Sequence, residues 1–352
     1  MLITGLLVGA ALGFVMQRGR FCVTGAFRDV WIGGKTRWIT AFGIVIAVQA
    51  IGIFALQQLG FIELEAKPLP VVATVVGAFV FGYAIVLAGG CATGTFYRSA
   101  EGLVGSWIAL IFYAGFSAVM KYGVFGELTA TLRSSTVLPV TTIHESLGIS
   151  PWWLVALLSF GVLALVVRHL RADASRAPLA TLPPRRTGIA HLLFERPWHA
   201  FATAVVIGVI ATVAWPASIA TGRNSGLGIT TPSANLVTFL VTGDTELVDW
   251  GVFLILGILV GAHVAAKASG EFRVRVPDAT TVLRSVGGGA LMGIGASLAG
   301  GCTIGNAMVN TAQFSYQGWV SFAFMVLGTG AATHQFILRR RTPAATHELV
   351  TV

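Results

Sequence analysis

Long apolar runs dominate the chain, and short polar segments separate them. Nine runs approach or exceed the roughly 20 residues that a helix needs to cross the hydrocarbon of a bilayer. They cover residues 2–16, 38–59, 71–88, 103–124, 152–167, 201–215, 252–266, 282–299 and 319–338. The pattern therefore predicts an all-α polytopic membrane protein with about nine transmembrane helices.

Four shorter segments do not fit this pattern. They lie around Cys22, Thr93, Asn235 and Thr303, and each is too polar or too short to span a bilayer. Non-spanning backbone is tolerated at membrane depth only where it is buried in protein or lines a cavity. We therefore predict that these segments form half-helices or re-entrant segments.

The composition and the distribution of charge support a membrane location. Of the 352 residues, 55% are hydrophobic and 11% are charged, whereas about a quarter of the residues in soluble proteins are charged. The net charge is +9. Cytoplasmic loops of membrane proteins carry an excess of Lys and Arg, so this charge does not indicate a nucleic-acid partner. Of 23 Lys and Arg, all but Lys67, Lys121, Arg133 and Arg223 fall on one predicted side. This asymmetry predicts a multi-pass protein of the bacterial inner membrane with a periplasmic N-terminus and a cytoplasmic C-terminus.

A segment rich in Pro and Arg lies between the fifth and sixth runs and divides the chain near its middle. We predict an N-terminal membrane half at residues 1–170, a cytoplasmic linker at 171–197, a C-terminal membrane half at 198–338 and a cytoplasmic tail at 339–352.

The two halves contain related sequences. GYAIVLAGGCATG at 82–94 and GIGASLAGGCTIG at 293–305 place their cysteines at 91 and 302. They follow the third and eighth runs, which cross in opposite directions, so the sequence predicts an inverted internal repeat. A weaker similarity links GLLVGA at 5–10 with GILVGA at 257–262. Those two runs are predicted to be parallel, and we interpret this similarity as small-residue packing between helices.

Each copy of the repeat combines a glycine break with a cysteine. A Gly-Gly pair at a helix end frees backbone amides, and the half-helix that follows can present its N-terminus to an anion. The candidate path residues in the two copies are Gly89, Gly90, Cys91, Thr93 and Gly94, and Gly300, Gly301, Cys302, Gly305 and Asn306. Free cysteine is also a common filler of apolar cores, but the repeated glycine pattern favours a substrate path.

The remaining two breaks extend this set. Cys22 follows Arg18 and Arg20 and has glycine three residues later, as Cys91 and Cys302 do. The arginines either anchor the first span or draw an anion to an inner mouth. The sequence TGRNSGLGIT at 221–230, which contains Asn224, either lines a mouth or forms an outer loop.

The three cysteines show neither CxxC spacing nor the Cys/His spacing of a metal site. We therefore predict no metal, no cofactor and no catalytic residues. A neutral buried thiol is a weak donor that suits a soft anionic sulfur, whereas hydroxyl and ammonium groups favour hard oxyanions. The residues thus indicate a transport path for a sulfur-containing anion.

Four segments resemble the YeeE/YedE family of thiosulfate transporters, and the resemblance covers nearly the whole chain. They are GFVMQRGRFCVTGAFRD at 13–29, LAGGCATGTFYRSAEG at 87–102, TGRNSGLGIT at 221–230 and LAGGCTIGN at 298–306. The resemblance implies an hourglass-like fold and a path in which Cys22, Cys91 and Cys302 hydrogen-bond thiosulfate through their S–H groups. It also implies a separate partner, a TusA-like sulfur carrier on the cytoplasmic side.

Other functions stay open alongside import of thiosulfate into the cytoplasm. The family includes transporters of selenium or other sulfur species. A membrane thiol enzyme, either a sulfurtransferase or a redox enzyme, would need an activated thiolate, and Arg18 and Arg20 beside Cys22 could provide one. A purely structural protein would need none of the cysteines.

Overall fold

The structure is a computed structural model that describes residues 2–65, 67–175 and 187–339. These residues form fifteen α-helices. In chain order they are α1 Ile3–Arg18, α2 Val23–Gly33, α3 Arg37–Gln58, α4 Val71–Leu87, α5 Ala92–Ala100, α6 Val104–Lys121, α7 Gly126–Ser134, α8 Ile143–Leu147, α9 Pro151–Ala174, α10 Gly188–Ala190, α11 Ala200–Ile219, α12 Thr230–Thr242, α13 Trp250–Ala268, α14 Ala279–Ala299 and α15 Tyr316–Thr333. Three π-helical segments, His191–Glu195, Gly305–Asn310 and His334–Leu338, and the 3₁₀ turn Thr245–Leu247 complete the helical part. The strands β1 Leu69–Pro70 and β2 Val137–Leu138 pair antiparallel.

Nine helical stretches of the described residues are long and apolar enough to cross a membrane. They are Ile3–Gly33, Arg37–Gln58, Val71–Ala100, Val104–Lys121, Pro151–Ala174, Ala200–Ile219, Trp250–Ala268, Ala279–Ala299 and Tyr316–Leu338. The prediction of an all-α polytopic membrane protein with about nine transmembrane helices is therefore confirmed. The hourglass outline stays a prediction.

The four segments predicted to be half-helices are short helices. They correspond to α2, α5, α12 and the π-helical segment Gly305–Asn310. The longest, α12, has 13 residues, which at 1.5 Å per residue is about 20 Å and less than the roughly 30 Å of hydrocarbon. Each of the four begins just after a break in the chain, and three of those breaks contain a cysteine.

Helices α4 and α14, which precede the two repeated motifs, pack antiparallel through glycines. A Cβ added at Gly77 would lie 2.4 Å from the backbone N of Ala299, and one added at Gly288 would lie 2.4 Å from that of Ala88. The start of each helix thus faces the end of the other. This arrangement confirms that the two copies of the repeat cross in opposite directions.

Helices α1 and α13 carry the weaker similarity, and they pack directly on each other in parallel. A Cβ at Gly9 would lie 2.0 Å from the carbonyl O of Leu254, and one at Gly13 would lie 2.2 Å from that of Ile258. Contacts therefore advance together along both helices. Backbone-to-backbone approach of this kind requires glycine at the interface, so the interpretation as small-residue packing is confirmed.

The two halves interlock. Helix α1 packs on α13 and α11 packs on α3, while α6 packs on α14 and α15 packs on α4. Each of these pairs joins one helix from the first half with one from the second. Helix α9 lies at the edge, with Trp153, Leu157 and Phe160 each more than 70% exposed, as expected of side chains that face lipid.

The predicted linker is helical on both described flanks. Helix α9 continues to Ala174, and helical structure resumes at Gly188. The rings of Phe194 and Trp198 pack on Phe14 of α1. Residues 176–186, within the predicted linker, and residues 340–352, almost all of the predicted tail, lie outside the described residues. The predicted domain boundaries stay predictions.

Candidate functional site

The three cysteines occupy equivalent places in their segments. Cys22 and Cys91 are the N-cap residues of α2 and α5, and Cys302 lies in the turn between α14 and the π-helical segment. The turns before Cys91 and Cys302 contain Gly89 at φ +70° and Gly300 at φ +78°. Only glycine adopts this left-handed conformation without steric cost. The paired glycines of the motif are therefore what ends α4 and α14 at equivalent points.

The thiols of Cys22 and Cys91 face each other across Gly94. A Cβ added at Gly94 would lie 3.4 Å from the Cys91 Sγ and 3.7 Å from the Cys22 Sγ. The two thiols are within hydrogen-bonding reach of each other, and the Gly94 N–H donates to the Cys91 Sγ at 3.4 Å. The structure thus brings together two cysteines that are far apart in sequence, and glycine at 94 leaves both thiols free of a crowding side chain.

Cys302 lies at the wall of a cavity of about 270 Å³. Gly300, Gly301 and Gly305 line it together with the loop that contains Asn224. Since one water occupies about 30 Å³ of liquid, a small anion fits with part of its hydration shell. Lys67, Arg133 and Arg223 also line this cavity, with Glu65 as an acidic neighbour. Four of the five predicted path residues of the second repeat, all but Asn306, therefore belong to one cationic cavity with the TGRNSGLGIT loop.

Two of these cations also hold the cavity together. The Arg133 Nη1 donates to the carbonyl O of Leu298 at 2.8 Å, which satisfies an end of α14 that the glycine break leaves open. The Arg223 Nη1 donates to the Ser218 Oγ and to the Gly226 carbonyl, both at 3.0 Å. Their charges thus stay fixed beside Cys302.

Asn306 has a structural task in the same break. Its Nδ2 donates to the carbonyl oxygens of Ala299 at 2.8 Å and Gly301 at 3.2 Å, and its Oδ1 accepts from the Asn310 amide at 2.8 Å. The side chain is fully buried. Its amide hydrogens are already used, so the contribution of Asn306 to the predicted path is to hold the turn.

Arg98 donates to a backbone carbonyl at the break of the first repeat, as Arg133 does at the break of the second. Its Nη1 donates to the Gly89 carbonyl, beside Gly90. Sequence reasoning identified the breaks but missed both arginines. A signal was present, since open carbonyls require donors, but Arg133 is far from its break along the chain. Only the fold shows which donor serves which break.

Arg18 and Arg20 belong to an ionic cluster at the opposite end of α6 from Arg133. The guanidinium of Arg20 contacts a Glu101 oxygen at 2.9 Å and a Glu271 oxygen at 2.7 Å. Arg18 lies 3.3 Å from Glu271 and donates to the Leu193 carbonyl at 2.8 Å. Both arginines are therefore occupied by protein acceptors.

The cluster holds an unusual backbone conformation. Arg20 has φ +51°, a region that non-glycine residues enter at a cost of about 1–2 kcal/mol. Its two carboxylate contacts keep it there. Burial raises the pKa of the Glu101 carboxyl, and the Arg20 charge opposes that rise. The cluster ties the turn before Cys22 to the residues that follow α5 and α13.

The fourth break lacks a cysteine. The N-cap of helix α12 is Ile229, whereas α2 and α5 have cysteine at that position. Its first residue, Thr230, accepts a hydrogen bond from the Tyr113 hydroxyl at 2.9 Å, and the Tyr113 hydroxyl is also within reach of Cys302. Tyr113 was not predicted, because a tyrosine within an apolar run carries no distinctive signal.

The sequence matches known transport proteins over most of its length. The chain is 53% identical to the thiosulfate transporter TsuA of Escherichia coli K12 over 344 residues, which cover 98% of this chain and 97% of that protein. It is 34% identical to the thiosulfate transporter TsuA of Spirochaeta thermophila, with 97% and 100% of the two chains covered. A probable transporter, YedE of Escherichia coli K12, is 46% identical over 103 residues, or 29% of this chain and 25% of YedE. A family described as sulphur transport matches residues 18–331. With its repeated cysteine breaks and the nine candidate spans of its described residues, the chain belongs to the sulphur transport family of membrane proteins.

Proposed function

We propose that this protein is a transporter that imports thiosulfate into the cytoplasm past Cys302, Cys91 and Cys22, in that order. The observation that carries the proposal is the succession of thiols. Cys302 borders the cationic cavity. The Cys91 thiol lies close to Thr303, which is the residue after Cys302. Cys22 in turn faces Cys91. The two relatives aligned over nearly their whole length are named as thiosulfate transporters, which supports the choice of ion.

The chemistry of the thiols suits passage. Cys91 and Cys302 are fully buried, and the S–H group of a thiol is a weak donor that can bond to the terminal sulfur of thiosulfate. Conduction requires sites that bind strongly enough to admit an ion and weakly enough to release it. Three weak donors in series meet both demands, whereas a buried lysine or arginine would bind a dianion too tightly for release.

The cavity would collect the ion. Lys67, Arg133 and Arg223 line the cavity with Cys302 and outnumber its one acidic lining residue, Glu65, and a cleft with an excess of positive charge raises the local concentration of an anionic substrate. Beyond Cys22, the ionic cluster of Arg20, Glu101 and Glu271 has to open before the ion can leave. We infer that this cluster is the inner gate.

Uptake by purified protein tests the function directly. We expect vesicles containing the protein to accumulate radiolabelled thiosulfate and to exclude radiolabelled sulfate, because thiol donors favour a soft terminal sulfur over hard oxygens. Empty vesicles provide the background. Equal uptake of both ions, or no uptake above background, would overturn the proposal.

A second candidate is a membrane thiol enzyme, and the close approach of Cys22 to Cys91 favours it. A thiolate could attack the terminal sulfur of thiosulfate, forming a protein persulfide and releasing sulfite with the electron pair of the broken S–S bond. Mass analysis of the intact protein after exposure to thiosulfate separates the two functions. Transport by S–H hydrogen bonding leaves all three cysteines unmodified, whereas the enzyme would carry an added sulfur on Cys22 or Cys91.

The orientation and the cytoplasmic partner are part of the same proposal. We propose a periplasmic N-terminus and a cytoplasmic C-terminus in the inner membrane, with a separate TusA-like carrier accepting sulfur at the end that carries Arg20. An impermeant protease added to sealed, right-side-out cells should remove an N-terminal tag and spare a C-terminal one. The reverse pattern would mean that the cavity at Cys302 faces the cytoplasm and that the direction is wrong.

A further inference from the structure

Three threonine hydroxyls close to the cysteines are buried and make no hydrogen bond within the described residues. They belong to Thr24, Thr93 and Thr303, which are at most 3% exposed. A buried hydroxyl without a partner is costly, so each such group in a native protein requires an explanation. Each of the three lies one or two residues after a cysteine.

Their positions explain why no neighbour satisfies them. Inside a helix, a threonine hydroxyl can donate to the carbonyl four residues earlier, as Thr311 does to Ala307 at 2.7 Å. Thr24 and Thr93 are the second residues of α2 and α5, and Thr303 precedes the π-helical segment. The chain breaks just before each of them, so no continuous helical turn offers that carbonyl, and the Ala299 carbonyl four residues before Thr303 accepts from Asn306 and Gln317 instead. Other unpartnered hydroxyls, such as those of Ser117 and Ser321, lie within long helices where such a carbonyl is available.

Thr303 has the most informative position of the three. It belongs to the second repeat, yet its side chain lies close to the Cys91 thiol of the first repeat, without a hydrogen bond between the two. One hydroxyl and one thiol therefore meet where the two halves meet. Both are fully buried, and the hydroxyl has no competing protein acceptor or donor in the described residues.

A thiosulfate ion has two chemically different ends. Its terminal sulfur is soft and suits a thiol donor, whereas its three oxygens are hard and suit a hydroxyl donor. Thiols alone would leave the oxygens without partners in a dry site, and an unpartnered buried polar group is unfavourable. A mixed pair of donors satisfies both ends of the ion.

We propose that the Thr303 hydroxyl donates to an oxygen of the ion whose terminal sulfur is held by the Cys91 thiol. This inference rests on the proposed function and adds the residue that recognises the oxidised end of the substrate. Thr303 would thereby discriminate thiosulfate from soft ions that have no oxygen, such as hydrosulfide.

The concentration dependence of thiosulfate uptake tests this role in vesicles containing the purified full chain. Thr303→Val keeps the shape of the side chain and removes the donor, and we expect the KM for thiosulfate to rise about tenfold or more, as for loss of a hydrogen bond to a charged group. Thr303→Ser restores a hydroxyl and should restore a KM near that of the wild type. If Thr303→Val does not assemble, Thr303→Ala, which is smaller, takes its place.

Thr311→Val is the matched control, since Thr311 is an equally buried threonine whose hydroxyl donates within its own helical segment. It should leave the KM unchanged. An unchanged KM in Thr303→Val, or the same rise in Thr303→Ser or Thr311→Val, would overturn the inference. Absence of uptake by the wild-type protein would overturn the proposed function and this inference together, whereas wild-type uptake with an unchanged KM in Thr303→Val overturns only the inference.

Discussion

Cys91→Ser is expected to lose at least about tenfold of the thiosulfate uptake of the wild type, a change equivalent to about 1.4 kcal/mol in the interaction with the ion. A hydroxyl is a harder donor than a thiol, and its shorter bond to carbon withdraws it from the terminal sulfur. The same substitution at Cys302 should also reduce uptake, because the ion meets that thiol first. The measurement is initial uptake of radiolabelled thiosulfate by vesicles of matched protein content.

Serine at position 91 should not lower the stability of the fold, so a loss of uptake can be attributed to the change of donor. Cys91 is the N-cap of α5, and its sulfur accepts the Gly94 N–H. Serine is among the preferred N-cap residues, because its oxygen accepts the same bond at a shorter distance. We therefore expect Cys91→Ser to elute as a single species and to melt at or above the wild-type temperature. Loss of uptake then reports on the donor and not on unfolding.

Ala100→Ser provides a matched control, since it adds a hydroxyl at the other end of the same helix. Its uptake should equal that of the wild type. Wild-type uptake in both Cys91→Ser and Cys91→Ala would remove Cys91 from the path and would leave the cysteine as a core filler, which was the open alternative from the sequence.

The sequence predicted the helical class and the crossing directions because both depend on local properties. Apolar run length fixes which helices can span a bilayer, and the paired LAGGC motifs mark two equivalent helix ends. Gly89 and Gly300 have the left-handed conformation that such a helix end requires. These features need no knowledge of distant contacts, so a single sequence is sufficient to infer them.

Contacts between distant segments were not predictable in the same way. Arg18 and Arg20 could be read as membrane anchors or as attractants for an anion, because neither Glu101 nor Glu271 is near them in sequence. In the structure both arginines are paired with these acids. The approach of Thr303 to Cys91 likewise depends on how two inverted halves dock. Such pairings follow from tertiary packing, which the local pattern of hydrophobic and polar residues does not determine.

The packing of α1 on α13 leads to the second large effect. Gly261→Ala is expected to prevent stable assembly, because its Cβ would lie 1.9 Å from the Ala10 carbonyl oxygen. Overpacking usually costs about 1–3 kcal/mol where side chains can move aside. Here the obstacle is backbone, so the two helices must separate along their shared interface, and we expect a cost at or above the upper end of that range.

The gain in helix propensity does not compensate. Alanine is favoured over glycine inside a helix by about 1 kcal/mol, which is smaller than the expected cost of separating the helices. Gly161→Ala in α9 isolates this gain, because a Cβ there meets nothing within 4 Å and the position is exposed. Thermal melting of the detergent-solubilised protein should show a large decrease for Gly261→Ala and no decrease for Gly161→Ala. A wild-type melting temperature for Gly261→Ala would mean that α1 and α13 do not pack in the close parallel register that places Gly9, Gly13 and Gly261 against backbone.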